Sequence, residues 1–444
     1  MKIIMNRACF VKDTNTDEQC HASYVRPSKT SFAWMRKGLM TVCLSLACYF
    51  GSAQSSVNLI WGKQYGCDKE VYVRNHMIDR FGNVYVTGYT DGKMGERSFG
   101  KKDGFISKID GKGNLLWSSQ FGSDQDDDIQ GSAMDDAGNI YITGTTDGVL
   151  GEKKFGKEDV FVAKFSSKGK QLWIKQFGTD SIDIGLGILV SKDQSVYVTG
   201  STFGKLGSTS QGNEDAFVMK LTSGGRLVYV QQFGTSLRDG GDCLAQDNAG
   251  RIYLAGRTFG NLISSNKGMM DCFICRLDEQ GKPITFAQLG TESFDIPTCL
   301  MVDNQDNIYL GGTTAGNLAS SQLGEGDCFL VKLNRKGEIL WDKQFGTDKH
   351  DSVKGICSSK LLGDNFLVSG VMNLPPANAF VRMYSGDGKL IWEKKIIPEG
   401  VNGDASGKNV TIDRLGNIYH VGLTGFDLYG RLSGTHDFYL VKLK

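Results

Sequence analysis

The chain has no excess of charge of either sign and contains very little histidine. Its 444 residues include 50 Lys and Arg against 49 Asp and Glu, and five His. A general nucleic-acid binder is usually more basic, so nucleic acid is not an expected partner. Neither the His-Glu-x-x-His pattern of metalloproteases nor the Gly-x-Ser-x-Gly elbow of hydrolases occurs. These absences leave no motif of a metal-dependent or serine hydrolase.

The sequence also lacks an apolar run long enough to span a bilayer. The apolar stretch from Leu39 to Phe50 has twelve residues, whereas a membrane-spanning helix needs about 20. Basic residues in 35–38 precede it and small residues in 51–53 follow it, which is the order of a secretory signal peptide. We therefore predict a signal region over residues 1–53.

The signal proper is predicted at residues 35–53. Residues 1–34 either lie upstream of a true start at Met35, the favoured interpretation, or belong to an unusually extended signal. Cleavage after Ala53 leaves residues 54–444, outside the cytoplasm and without a transmembrane segment. A lipid anchor on Cys48 is the alternative, although Ser45-Leu46-Ala47 matches a lipobox poorly.

A sustained 3.6-residue period is missing from residues 54–444, and a much longer period takes its place. Seven related phrases of the form Gly-Asn-Ile-Tyr-x-Thr-Gly recur, the last two at 365–370 and 416–422 with altered spacing. A fixed period of this length indicates a repeat architecture. The tyrosines of the first five lie 56 residues apart: Tyr85, Tyr141, Tyr197, Tyr253 and Tyr309.

Each repeat contains four short segments typical of β-strands. In the second copy these are residues 127–134, 140–145, 159–165 and 171–177, rich in Val, Ile, Tyr, Phe and Thr. Gly with Asp or Asn between them is turn chemistry. Seven units of four strands predict an all-β fold, a seven-bladed β-propeller with blades of about 56 residues.

The two ends of residues 54–444 are complementary. Residues 59–66 read as a fourth strand without the first three, and residues 437–442 read as a third strand without a fourth. Pairing them completes the seventh blade and removes two exposed sheet edges. We therefore expect the N-terminal strand to close the ring.

Three phrases of the repeat resemble a known family. Gly-Asn-Ile-Tyr-x-Thr-Gly, Asp-x-Phe-x-x-Lys and Gly-x-x-x-Trp-x-x-Gln-Phe-Gly-Thr are similar to the bacterial SBBP-type β-propeller repeat, from Val57 to Lys444. The sixth unit departs, with residues 378–383 in place of Asp-x-Phe-x-x-Lys. The resemblance implies an extracytoplasmic propeller that is secreted, periplasmic or on the bacterial cell surface. It implies no single activity.

Acidic side chains recur in one of the two loop sets that share a face of such a propeller. These loops lead from a fourth strand to the next first strand, and they place an aspartate at the same position in five units. Around a channel mouth such carboxylates could bind calcium, the one cofactor considered. The alternative is that each holds the turn of its own blade by accepting backbone hydrogen bonds. The five residues are Asp127, Asp183, Asp239, Asp295 and Asp351.

Basic side chains concentrate in the other loop set of that face, in two adjacent units. Loops between the second and third strands are basic in units one and two and lack this cluster in later units. Such a patch can attract an anionic glycan or matrix surface, and two merely solvated loops are the alternative. Its members are Lys93, Arg97, Lys101, Lys102, Lys153, Lys154 and Lys157.

These features predict an exported, non-enzymatic binding protein of the bacterial envelope or surface, with a protein or glycan ligand on the loop-rich face. One alternative is a hydrolase or lyase that uses channel-mouth carboxylates such as Asp127 and Asp183, with or without calcium. A purely structural envelope component is the other alternative.

Overall fold

Repeated strands make up nearly all of the structure. The computed structural model describes residues 57–207, 210–373, 376–398 and 400–444, without the side chains of residues 285 and 286. Within these ranges the chain forms 28 strands and one short 3₁₀ helix at Lys360–Leu362. The predicted signal region lies outside the described residues.

The strands fall into four sets according to their position within a sheet. The first strands are β2 (Val71–Ile78), β6 (Asp127–Met134), β10 (Asp183–Val190), β14 (Asp239–Gln246), β18 (Asp295–Val302), β22 (Ser352–Ser358) and β26 (Ala405–Ile412). The second strands are β3 (Val84–Thr90), β7 (Ile140–Thr146), β11 (Val196–Thr202), β15 (Ile252–Thr258), β19 (Ile308–Thr314), β23 (Phe366–Met372) and β27 (Ile418–Thr424).

The remaining two sets lie further from the axis. The third strands are β4 (Asp103–Ile109), β8 (Asp159–Phe165), β12 (Asp215–Leu221), β16 (Asp271–Leu277), β20 (Asp327–Leu333), β24 (Asn378–Tyr384) and β28 (Asp437–Leu443). The fourth strands are β5 (Leu115–Phe121), β9 (Gln171–Phe177), β13 (Leu227–Phe233), β17 (Pro283–Leu289), β21 (Ile339–Phe345), β25 (Leu390–Lys395) and β1 (Leu59–Tyr65).

The strands assemble into seven antiparallel four-stranded sheets among the described residues. Blades 1 to 6 take four consecutive strands each, from β2–β5 to β22–β25, and blade 7 combines β26–β28 with β1. Glycines with positive φ, such as Gly138 and Gly169 (82° and 78°), make the tight turns. The structure confirms the predicted all-β, seven-bladed propeller.

Strand β1 closes the ring as the sequence predicts. It pairs antiparallel with β28, so that Tyr65 lies opposite Phe438 and Trp61 opposite Lys442. Two backbone hydrogen bonds between Asn58 and Lys444, of 2.8 and 2.9 Å, extend the pairing beyond the strands. No edge of β28 is left unpaired, because β1 covers it.

Aromatic rings of one blade pack against the turns of the next. Tyr141 is fully buried and meets the edge of Trp173 with ring centroids 6.1 Å apart. The indole of Trp173 donates a 3.2 Å hydrogen bond to the carbonyl of Ser223 in the next blade. Trp61 and Trp341 make the equivalent bond to the blades that follow them. The repeated tyrosine and tryptophan therefore join neighbouring blades.

A buried glutamine links the fourth strand of a blade to its third strand and to the loop above. In blade 3, Gln232 Nε2 donates to Asp215 Oδ2 (2.8 Å) and to the Gly204 carbonyl (2.9 Å). Its Oε1 accepts from the amides of Leu206 and Gly207, each at 2.9 Å. Six blades share the bond, at 2.7–3.0 Å. The glutamine–aspartate pairs are Gln64–Asp437, Gln120–Asp103, Gln176–Asp159, Gln232–Asp215, Gln288–Asp271 and Gln344–Asp327.

We predict that Gln232→Ala lowers the free energy of unfolding by roughly 1–3 kcal/mol, because it leaves buried donors and acceptors without partners. The neighbouring Gln231, whose one hydrogen bond is solvent-exposed, provides the matched control. Gln231→Ala should change stability by less than about 0.5 kcal/mol. Urea denaturation of the two variants measures the difference, and equal stabilities would contradict the role assigned to the glutamine.

Candidate functional site

Each first strand carries a β-bulge at the same place, and the bulged residue faces the central channel. In β2, for example, the register with β3 shifts between Val73 and Asn75. The residues around the bulge are similar from blade to blade, but the bulged residue itself varies. Only blades 6 and 7 carry the same one, a lysine. The bulged residues are Arg74, Gln130, Leu186, Asp242, Thr298, Lys354 and Lys408, and all line a channel cavity of about 270 Å³. Bulges re-aim side chains in this way near functional sites.

Three of these residues surround one tyrosine. Lys408 Nζ donates a 2.8 Å hydrogen bond to Tyr72 Oη and lies 4.5 Å from the centre of its ring. The guanidinium carbon of Arg74 lies 4.7 Å from the same ring, and Tyr89 stacks on it at 5.0 Å. Lys354 interacts electrostatically with both Tyr72 and Lys408. Tyr72, Arg74, Lys354 and Lys408 are called the Tyr72 cluster below.

The charges of the Tyr72 cluster are poorly balanced. Burial alone would raise the pKa of Tyr72, but Lys408, Arg74 and Lys354 together lower it below its usual value. Burial, followed by repulsion from Lys408, lowers the pKa of Lys354. The carboxylate paired with the cluster is that of Asp128, 3.2 Å from Arg74. An anion bound here would relieve the repulsion.

Two polar atoms, one in the cluster and one in the carboxylate paired with it, have no hydrogen-bond partner within the described residues. They are Arg74 Nε and Asp128 Oδ1, both shielded from solvent. Buried polar groups are usually paired, so an unpaired donor and acceptor beside a channel are consistent with a ligand or water completing the site.

The cluster also forms part of a larger cavity on the loop-rich face. Tyr72 and Lys408 line a space of about 640 Å³ between blades 6, 7 and 1. Phe426 contributes an aromatic wall, and Glu70 lies 3.7 Å from His436 Nδ1 at the rim. The volume is in the range of small-molecule sites. Lys408 lines both spaces, so the channel and this cavity meet at Lys408, next to Tyr72.

The opposite wall of the channel has a more balanced charge. Asp242 of blade 4 is paired with Arg257, which also lies 3.7 Å from Glu214. Burial raises the pKa of Asp242 to about 6, although Arg257 opposes the shift. Blades 3 and 5 place the neutral Leu186 and Thr298 there. The positive excess is thus confined to the side formed by blades 6, 7 and 1.

The five aspartates predicted near the channel mouth are buried within their own blades. Asp183 Oδ2 accepts from the amide and hydroxyl of Thr179 at 2.6 and 2.9 Å, and Asp127 does the same with Ser123. Burial raises the pKa of Asp127 to about 6. Asp239, Asp295 and Asp351 have equivalent partners.

Among the described residues, no group of three or more His, Cys, Asp or Glu side chains could hold a metal ion. Calcium stays a prediction, and the hydrogen bonds of the five aspartates favour the alternative in which each one holds its own turn.

The seven predicted basic-patch residues are all exposed in the loops of blades 1 and 2. Lys102 Nζ lies 5.4 Å from the centre of the Tyr89 ring, which stacks on Tyr72. Arg97 and Lys153 instead lie over the phenylalanine rings of their own loops, Phe99 and Phe155, at 4.3 and 4.7 Å. Lys102 therefore adjoins the Tyr72 cluster, and these other two cations pack within their own loops.

Sequence reasoning missed the Tyr72 cluster. A usable signal was present, because the bulged positions of blades 1 to 6 are spaced by 56 residues and change charge from blade to blade. Comparing the repeats position by position, instead of looking for runs of one charge, would have singled out Arg74 and Lys354.

The fold and the site define a class: a seven-bladed β-propeller with a polar, asymmetric channel. A family model described as the SBBP β-propeller repeat matches residues 60–93 and 116–151. This match, together with the seven four-stranded sheets, confirms the resemblance to the SBBP-type propeller repeat seen in the sequence.

The similar proteins include one described as a regulatory protein and one described as an enzyme. The regulatory protein FlaEY of Caulobacter vibrioides is 25% identical over 167 residues, a match that covers 34% of this chain and 18% of that protein. A polysaccharide lyase of the PL25 ulvan lyase family has a TM-score of 0.51 at 10% identity, covering 85% of this chain and 95% of the lyase. The same lyase bound to -[GlcA(1-4)Rha3S]- gives 0.51 at 11% identity, with the same coverage. At such identity the likeness concerns the fold alone.

Among the described residues, no helix has the length and apolar character needed to cross a membrane.

We predict that Lys408→Met raises the pKa of Tyr72, because the lysine's positive charge and hydrogen bond stabilise the phenolate. Ultraviolet difference titration, with Tyr72→Phe as the blank, measures the shift. Lys442→Met is the control, since Lys442 lies 5.2 Å from Tyr419 instead, and it should leave the titration of Tyr72 unchanged. An unchanged Tyr72 pKa in Lys408→Met would show that the lysine does not act on the phenol.

Proposed function

We propose that this protein is exported by a bacterium and binds an acidic glycan on the loop-rich face, where the channel meets the cavity. The observation that carries the proposal is the gathering of Arg74, Lys354 and Lys408 around Tyr72, with Asp128 as the paired carboxylate. The signal region predicted at residues 35–53 supports an extracytoplasmic location, whether secreted, periplasmic or on the cell surface.

The chemistry of the cluster suits carboxylate or sulfate groups. Lysine and arginine form strong charge-assisted hydrogen bonds to such anions. Tyr72 and Phe426 add ring surfaces to the same cavity, and the space is open to solvent at the loop-rich face. A linear acidic polymer could continue from the cavity past Lys102 onto the basic patch of blades 1 and 2. A protein with acidic side chains is the alternative ligand.

The comparisons give limited support. A polysaccharide lyase of similar fold is described with -[GlcA(1-4)Rha3S]- bound, so a propeller of this kind can hold a polysaccharide. Binding through the Tyr72 cluster needs neither a cofactor nor catalysis. A hydrolase or lyase that uses Asp127 and Asp183 is less favoured, because both carboxylates are enclosed by their own turns. A structural envelope component would bind no glycan.

We predict that the protein binds acidic glycans and that binding weakens as salt is raised. Lys354→Met combined with Lys408→Met should lower the affinity at least about tenfold, because two cations at the centre of the site are lost. Isothermal calorimetry of residues 54–444 against acidic and neutral glycans, at low and physiological salt, measures this.

The matched control removes the same charge elsewhere. Lys168 and Lys336 are exposed in turns on the opposite face, and replacing both with Met should leave the affinity nearly unchanged. Replacing Lys93, Lys101, Lys153 and Lys157 with Ala should weaken the binding of long chains more than that of short oligosaccharides. Failure of every acidic glycan to bind at low salt would refute the proposal.

A further inference from the structure

We infer that Tyr72 is a catalytic base, and that the site cleaves uronate-containing polysaccharides by β-elimination. This inference rests on the proposed function, since it takes the acidic glycan to be a substrate instead of a bound ligand. It adds a reaction, a residue that performs it and a substrate class: chains with uronate residues substituted at C4.

The geometry around Tyr72 is that of an activated phenol. Tyr72 lines the 640 Å³ cavity, and its hydroxyl accepts a hydrogen bond from Lys408 Nζ at 2.8 Å. Arg74 lies over its ring at 4.7 Å, and Tyr89 stacks on the same ring. A phenolate formed here is stabilised by fixed positive charges and can be reached by a ligand, as a general base must be.

The tyrosines of the repeat have the opposite environment. The hydroxyls of Tyr85, Tyr141, Tyr309 and Tyr419 each face an aspartate carboxylate at 3.1–3.3 Å. Burial, together with that carboxylate, raises the pKa of all four. Tyr72 lies outside this pattern, because it occupies a first-strand position where the other blades carry Asp, Ile, Gly or Ser. The packing of the repeat therefore does not require a tyrosine, or the cations around it, at this position.

Lys354 and Arg74 meet the second requirement of the reaction, which is to stabilise negative charge on the uronate. Removing the C5 proton of a uronate places negative charge on its carboxylate, and preorganised positive groups stabilise that charge. Lys354 and Arg74 line the channel together with Lys408, which also lines the cavity. A uronate whose carboxylate points into the channel would place its ring in the cavity, next to Tyr72.

The reaction balances without a co-reactant. The Tyr72 phenolate oxygen takes the C5 proton, the C5–H electron pair forms the C4=C5 double bond, and the C4–O bond breaks. The Tyr72 hydroxyl then returns the proton to the departing glycosidic oxygen. The products are a chain with a new hydroxyl group and a chain with an unsaturated uronate at its end.

The test uses polysaccharides that contain C4-linked uronates, with a neutral C4-linked glucan as the blank substrate. Ultraviolet absorbance of the C4=C5 bond, conjugated with the carboxylate, measures elimination, and calorimetry measures binding separately. Tyr72→Phe should lower the elimination rate at least about 100-fold and change affinity by less than about threefold.

Tyr429→Phe is the matched control. The Tyr429 hydroxyl bonds the Ile396 carbonyl at 3.1 Å, and burial raises the pKa of this phenol to about 12. Loss of the Tyr429 hydroxyl should leave the elimination rate unchanged. Elimination by Tyr72→Phe at the wild-type rate would overturn the inference.

Lys408→Met gives a second test that keeps Tyr72. The charged and titratable groups that face Tyr72 are Lys408 from β26, Lys354 from β22, Arg74 from β2 and Tyr89 from β3. Without Lys408 the rate at saturating substrate should fall at neutral pH and recover as the pH rises, because only Arg74 and Lys354 then favour ionisation of the phenol. A loss that no increase in pH restores would contradict the role of Tyr72 as the base.

The two proposals fail in different ways. If the wild-type protein binds an acidic glycan but releases no unsaturated product, the inference of elimination is wrong and the proposed binding function stands. If no acidic glycan binds and none is cleaved, the proposed function itself is wrong.

Discussion

The convergence of seven first strands on one axis is the constraint on which the rest of the structure depends. It brings neighbouring backbones so close that a Cβ on Gly131 would lie 2.6 Å from the Leu186 carbonyl oxygen. A Cβ on Gly187 would lie 2.7 Å from that of Asp242. Residues on this side of the strand are therefore held small by packing. The bulged residues next to these glycines project into the channel instead, where packing between blades does not restrict the size of their side chains. Variation, and with it a specific site, can accumulate there without disturbing the blades.

The same reasoning explains why the cavity lies beside blade 6. In six blades the buried glutamine and aspartate hold the loop between the second and third strands against the fourth strand. Blade 6 has Asn378 and Lys395 at those positions, and Asn378 bonds Ile397 of the following connection instead. Its loop is short as well. Ala377 and Asp404, which belong to these altered connections, line the cavity. The departure from the repeat thus opens the space that the regular blades fill.

The sequence was sufficient to predict the fold, the blade count and the closing strand, because each follows from local periodicity. The first five repeats each contain four strands and their turns within 56 residues, and residues such as Tyr141 and Trp173 recur at equivalent positions in most copies. The Tyr72 cluster could not be found in that way. Tyr72 and Lys408 are 336 residues apart and meet through ring closure, and the bulge that turns Arg74 into the channel leaves no mark in a hydrophobic pattern. The basic patch was found because its residues are neighbours in the chain, which is a weaker reason to expect a site.

Ring closure connects the stability of the propeller to the site. The cluster joins blades 6, 7 and 1, and blade 7 is itself completed by β1. Across the boundary between blades 7 and 1, the amide of Val71 donates to the His436 carbonyl at 3.1 Å, and Thr411 bonds His76 at 2.7 Å. The first bond joins β2 to the residue before β28 and the second joins β2 to β26, so together they hold blade 7 beside blade 1 and keep Lys408 close to Tyr72. Holding Lys354 and Lys408 close together is unfavourable, since burial and mutual repulsion both lower the pKa of Lys354. A scaffold would not retain such an arrangement for its own stability, because local conflicts of this kind are found mainly where function requires them. The same closure that protects the sheet edges therefore keeps an electrostatically unfavourable site in place.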